Sequence, residues 1–228
     1  MVTRRIKSDP SRVTGTVATG QKFESTLEED FYVLLRFNPW VEDFEVQTVQ
    51  VPWTDKEGKR HTYTPDVLVR YRSDVPLEDR RPPMLCEVKP DLDAEGRTVG
   101  GRTRKFRKEN SEHNTLKWEA AEHFAAAKGW GFKVYYESDI RTPYLENARF
   151  LLAFLERSVE PRSETALLNN LARMGPMTAG DLLATITTDR QDRALILPTF
   201  YHLVATGRIE ADLTEPFTLK STVRVPEH

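Results

Sequence analysis

Two short stretches constrain this chain more than any other: Tyr63-Thr-Pro-Asp66 and, about twenty residues later, Leu85-Cys-Glu87-Val-Lys89. The first lies in a run over 60–71 with β-branched and aromatic residues around Val67, Leu68 and Val69. The second, over 84–89, is short and apolar apart from its charges. Both patterns predict core strands. In the second, the side-chain period of two puts Leu85, Glu87 and Lys89 on one face and Met84, Cys86 and Val88 on the other. A carboxylate and an ammonium on a core strand are costly unless they pair with each other or with a metal.

Phosphodiester hydrolysis supplies a reason for that cost. Asp66 and Glu87 would hold Mg²⁺ through hard oxygen ligands, the metal acidifying a water, while Lys89 orients that water or offsets charge on the phosphorane. The plainer alternative is a half-buried Lys-Glu pair, with Pro65-Asp66 no more than a strand start. Phosphodiesters are found on nucleic acids, yet the chain of 228 residues carries a formal net charge of −2, so any basic surface must be local.

A 39% hydrophobic content over this length suits two domains with real cores. The single cysteine excludes an internal disulfide framework and fits a reducing cytoplasm; on the apolar face of its strand Cys86 is expected to be buried and inert. No apolar run predicts a membrane span or a secretory signal, so a soluble cytoplasmic protein is expected. Neither a zinc-type histidine pair nor a phosphate-binding glycine loop is present.

In chain order, residues 1–22 carry five cations against one acid and read as a flexible basic arm or a solvated terminus. Over 24–37, Leu27, Phe31, Leu34 and Leu35 predict an amphipathic helix that ends at Asn38-Pro39. Glu28 sits at the edge of its apolar stripe. There it could reach the two acidic strands, or it could close a capping box with Ser25. A strand over 45–52 and a turn at 55–58 read as a hairpin with the Asp66 strand, and 73–83 as an exposed loop.

Beyond Pro90, Arg97, Arg102, Arg104, Lys105, Arg107 and Lys108 form an acid-free basic stretch that would contact a phosphate backbone. Leu116, Ala120, Phe124 and Ala127 predict a helix over 114–128 that covers the core, and 132–136 a further strand. The resulting α/β domain has a mixed central sheet with the acidic cluster at one edge.

A helix over 145–157 leads out, and Glu160-Pro-Arg reads as a linker. Helices over 163–174, from Thr178 to 186, and over 198–206 then precede a hairpin of 208–213 with 218–225, a winged-helix pattern. Six cations against eight acids over 163–228 argue for a protein-docking module rather than a strong duplex binder.

At these residues the chain resembles the TnsA-like endonuclease subunit of heteromeric transposases, in the PD-(D/E)xK nuclease group. Ser25-Thr-Leu-Glu28 resembles the family's first-helix motif, the segment over 41–47 its approach to the first strand, Tyr63-Thr-Pro-Asp66 its Y-x-P-D and Glu87-Val-Lys89-Pro90 its E-V-K-P; Thr48 stands where members often have proline. The resemblance implies a restriction-endonuclease-like domain over 23–143, followed by a linking helix and winged-helix domain over 144–228. It implies Glu28, Asp66 and Glu87 as metal-binding acids for Mg²⁺ or substituting Mn²⁺, the backbone carbonyl of Val88 as a further ligand, and Lys89 as the catalytic lysine. It further implies cutting of the 5′ strands at transposon ends in double-stranded DNA, beside a DDE-type transposase and an AAA+ ATPase regulator. A stand-alone restriction or phage-repair nuclease and a non-catalytic adaptor are the competing readings.

Overall fold

The computed structural model describes residues 26–91 and 108–227, with side chains from 113 onward in the second span. The chain forms two compact units. One comprises the first helix as far as Leu35 together with Trp40–Ile140, and the other runs from Arg141 onward and includes Arg36–Pro39.

The first unit contains, in order, α1 (Thr26–Phe37), β1 (Val41–Val46), β2 (Val51–Thr54), β3 (Arg60–Tyr63), β4 (Val67–Tyr71), β5 (Met84–Lys89), α2 (Lys108–Ala127), β6 (Gly131–Tyr136) and α3 (Glu137–Ile140). Its main sheet has the order β1-β4-β5-β6. The first two pairings are antiparallel, and β5 and β6, joined through α2, are parallel. The mixed sheet expected from the sequence is present.

Each face of the sheet is covered by one helix. Leu27, Phe31 and Leu35 of α1 pack on Val67, Val69, Cys86 and Val88. Each such buried side chain contributes about 1.5–3 kcal/mol. On the other face Leu68 and Leu85 pack with Ala125 of α2. The alternation read for β5 therefore holds, with Leu85 and Glu87 on the α2 side and Cys86 and Val88 on the α1 side.

Three expectations for this unit are corrected. The strand over 45–52 and the strand over 60–71 are each broken in two. Gln47 adopts φ 52° and donates its N–H to the Asp66 carbonyl at 2.9 Å. Pro65 has no N–H to give a ladder. The hairpin is consequently β2 with β3, in a sheet of its own, whereas β4 pairs with β1 and β5. Second, β4 and β5 are the two interior strands, so the acidic cluster lies at strand ends in mid-sheet and not along a sheet edge.

Third, α2 begins at Lys108, and its buried line is Ala121 and Ala125; Ala127 is exposed. Alanines let the helix backbone approach the sheet. The helix stops at Gly129, whose φ of 70° suits glycine.

The second unit contains α4 (Pro143–Leu152), α5 (Pro161–Met174), β7 (Met177–Thr178), α6 (Ala179–Ala184), α7 (Arg190–Ala205), β8 (Glu210–Ala211) and β9 (Thr222–Arg224). Leu167, Leu171, Leu182, Phe200, Leu203 and Val223 are buried in it. Its small antiparallel sheet has the order β7-β9-β8, and the sequence pattern had not marked β7.

Helix α4 stops at Leu152, five residues before the expected end. Glu160-Pro161 is a helix start: the Glu160 carboxylate accepts the N–H groups of Arg162 and Ser163, and Pro161 occupies the first helical position. Helix α7 starts at Arg190 and runs through Pro198, where the expected helix began. Its start is set by Asp189, whose carboxylate accepts from Gln191 and Asp192 N–H; Pro198 forfeits one interior hydrogen bond. Among the described residues no helix is long and apolar enough to cross a membrane.

Candidate active site

Strand β5 carries Glu87 into the interior as a charged group that is only 2% exposed. Continuing the antiparallel register of Val67 with Cys86 by one residue sets Asp66 opposite Glu87. Asp66 accepts the Val88 N–H on Oδ2 at 2.7 Å, which fixes its rotamer across the two strands. Burial pushes the Asp66 carboxyl up to about 7, the Glu87 charge pushes in the same direction, and the Val88 hydrogen bond and Lys89 oppose both. An acid protonated near neutrality is a frequent mark of a functional site.

Glu87 itself is surrounded by partners. Lys89 Nζ lies 2.5 Å from Oε1, and the Tyr63 hydroxyl donates to Oε2 at 2.5 Å. The β2–β3 hairpin supplies Tyr63, whose ring packs with Val51, Trp53 and Ala121, and burial beside Glu87 keeps its phenol protonated.

Lys117 of α2 also reaches the site. Its Nζ stands 3.7 Å from Glu87 Oε1 and 4.6 Å from the centre of the Tyr63 ring. Sequence reasoning missed Lys117. The signal was present, because Lys117, Ala121 and Ala125 follow one another at helical spacing along the innermost line of α2; the stripe read from Leu116 and Ala120 lies one residue away.

Of the residues singled out from the sequence, Asp66, Glu87 and Lys89 come together. Glu28 projects from α1 and accepts the Tyr32 hydroxyl at 3.4 Å; its charge is felt at Asp66, which it raises further. Ser25, and with it the capping box, lies outside the described residues. So do the arm 1–22 and Arg97, Arg102, Arg104, Lys105 and Arg107. Lys108 opens α2, and its side chain is likewise outside them. Cys86 is 1% exposed on the far face, and burial pushes its thiol up to about 12, in keeping with an inert cysteine.

Among the described residues no three Asp, Glu, His or Cys side chains are gathered into a ready metal cage. The donor chemistry nevertheless fits a hard divalent cation. Glu87 is a buried oxygen donor and Asp66 a half-buried one whose ionisation the Glu87 charge opposes, and a cation held by both would relieve that cost.

An α/β domain with two acids and a lysine at the ends of adjacent strands is an arrangement suited to phosphodiester chemistry, and the comparisons narrow it. Residues 38–137 match the family described as TnsA-like endonuclease N terminal, and residues 139–213 match TnsA endonuclease C terminal. The protein is thus of the endonuclease class. More specifically, the chain belongs to the TnsA-like endonuclease family, whose members serve DNA transposition. No curated protein matches it.

Proposed function

We propose that the protein is the metal-dependent DNA endonuclease subunit of a heteromeric cut-and-paste transposase and cuts the 5′, non-transferred strands at transposon ends. The observation that carries this reading is the pairing of half-buried Asp66 with buried Glu87 across β4 and β5, with Lys89 on Glu87, inside a domain that matches the endonuclease family.

Asp66 and Glu87 would hold Mg²⁺, or Mn²⁺ in its place, with Glu28 and the Val88 carbonyl completing the set. Bound there, the cation supplies Lewis-acid polarisation of the scissile phosphodiester. Lys89 places a positive charge where the phosphorane develops negative charge. Tyr63, buried with Val51, Trp53 and Ala121, stands against Glu87 and would lower the local dielectric on that side of the site. The basic stretch from Arg97 to Lys108 would hold the DNA backbone.

In the second unit, helices α5, α6 and α7 and a small three-stranded sheet support a winged-helix reading, with α4 as the linking helix. The excess of acids over 163–228 favours protein docking, to a DDE-type transposase or an AAA+ ATPase regulator, over duplex binding. The cytoplasm is the compartment that fits such an assembly.

Calorimetric titration of Mn²⁺ tests the site without partners. Saturable binding to the wild-type protein that disappears in Asp66→Ala supports the reading, and equal binding by both would sink it. With the transposase present, Asp66→Ala and Lys89→Ala should each lower end cleavage by about 10³-fold or more while the fold persists.

A further inference from the structure

We infer that Lys117 is an exchangeable counter-ion of the acidic site: it neutralises Glu87 when no metal is bound, and it yields that place to a divalent cation, thereby setting the site's metal affinity. The inference rests on the proposed metal-binding reading and extends it to a residue on a different element.

Two observations carry it. The first is charge balance. Glu87 is a buried acid with the half-buried Asp66 beside it, and two ammonium groups face Glu87 Oε1, Lys89 at 2.5 Å and Lys117 at 3.7 Å. The other carboxylate oxygen is taken by the Tyr63 hydroxyl at 2.5 Å. A divalent cation on Oε1 meets both ammonium groups, and like charges a few ångströms apart in a partly desolvated site repel one another.

The second observation is mounting. Lys89 stands on the same strand as Glu87, two residues on, and makes the shorter of the two contacts to Oε1. Lys117 reaches in along the helix line of Ala121 and Ala125, stands at the longer distance from Oε1, and rests against the Tyr63 ring, 4.6 Å from its centre. The aromatic face is a second resting place for the ammonium. Lys117 can therefore withdraw from Glu87 without losing all its partners.

The test is Mn²⁺ calorimetry on the full chain, wild type and variants at one and the same pH. Lys117→Met should bind Mn²⁺ about tenfold more tightly than wild type, because the competing charge is gone. Lys117→Arg keeps the charge and should retain wild-type affinity to within about twofold. Lys117→Gln, which keeps a donor for Glu87 and drops only the charge, replaces the methionine variant if that one does not fold, with the same expected tightening. A lysine that merely packs would leave affinity unchanged in all three folded variants, and that result overturns the inference while leaving the metal site intact. Absence of Mn²⁺ binding by the wild-type protein overturns the metal reading and this inference together.

Discussion

Glu87 and Asn147 are both buried polar side chains, 2% and 7% exposed, yet they are partnered in opposite ways. Asn147, on α4, donates Nδ2 to the carbonyls of Leu213 and Glu215 at 2.8 and 2.7 Å and accepts the Phe217 N–H at 3.0 Å. Every partner is backbone, and the amide is neutral. Glu87 is charged, and each of its partners, Tyr63, Lys89 and Lys117, is a side chain that can turn away. Backbone partners cannot be exchanged without unfolding the segment, whereas side-chain partners can. One arrangement pins the 213–217 loop to α4, and the other keeps a buried charge ready for a change of company.

If the acidic pair is held at the expense of stability, neutralising it should stabilise the fold. Asp66→Asn should retain the hydrogen bond from Val88 N–H, raise stability near about pH 8 by roughly 1–3 kcal/mol and abolish Mn²⁺ binding. Urea denaturation beside calorimetry measures both; a variant less stable than wild type would break the comparison. The pH dependence follows with a definite sign. The Asp66 carboxyl titrates at about 7 in the folded protein, against its ordinary value of 3.8, so between these values the folded state binds more protons than the unfolded state. The metal-free protein should therefore lose stability as pH rises through this window, by up to a few kcal/mol from this group, and Asp66→Asn should flatten that slope.

Asn147→Ala is the counterpart. It leaves two carbonyls and an N–H without their protein partner and should cost about 2–3 kcal/mol. The loss should appear in thermal melting of the second unit. Mn²⁺ affinity at the acidic site should not change, and a large change there would mean that the two clusters are not independent.

The division between what was legible in the sequence and what was not follows the range of the forces involved. The β5 faces and the α1 stripe were readable because side-chain period and burial agree along one short segment, as with Leu85 and Glu87 or Leu27 and Phe31. The place of Glu28 at the edge of the α1 stripe left two roles open, reaching the strand acids or capping the helix, and the resemblance favoured the first. The broken strands were hidden because 45–52 and 60–71 have strand-like composition throughout, and the breaks depend on a backbone conformation at Gln47 and a missing donor at Pro65. Helix α2 was shortened because its first turns, through Asn114, are polar and show no period. Lys117 was overlooked because the larger apolar residues, Leu116 and Phe124, outweigh the small Ala121 and Ala125 in any pattern, although small residues are what a close helix–sheet approach requires. Pro198 misled for a related reason: a proline resembles a helix start, and only the cap at Asp189 shows that the helix has already begun.

The smallest expected effect concerns backbone alone. Gly207 follows α7 with φ 70°, and a Cβ added there would meet no atom within 4 Å. Gly207→Ala therefore removes no contact and creates no clash; its cost is the left-handed conformation itself, about 1 kcal/mol. Because the Gly207 N–H also closes the helix by donating to the Val204 carbonyl at 3.0 Å, the turn should survive the substitution with a lower melting temperature and an unchanged structure. A cost near that of Asn147→Ala would show that the turn is coupled to the 213–217 loop. A cost of about 1 kcal/mol would show that the second unit draws its stability from separable backbone constraints, in contrast to the shared charges around Glu87.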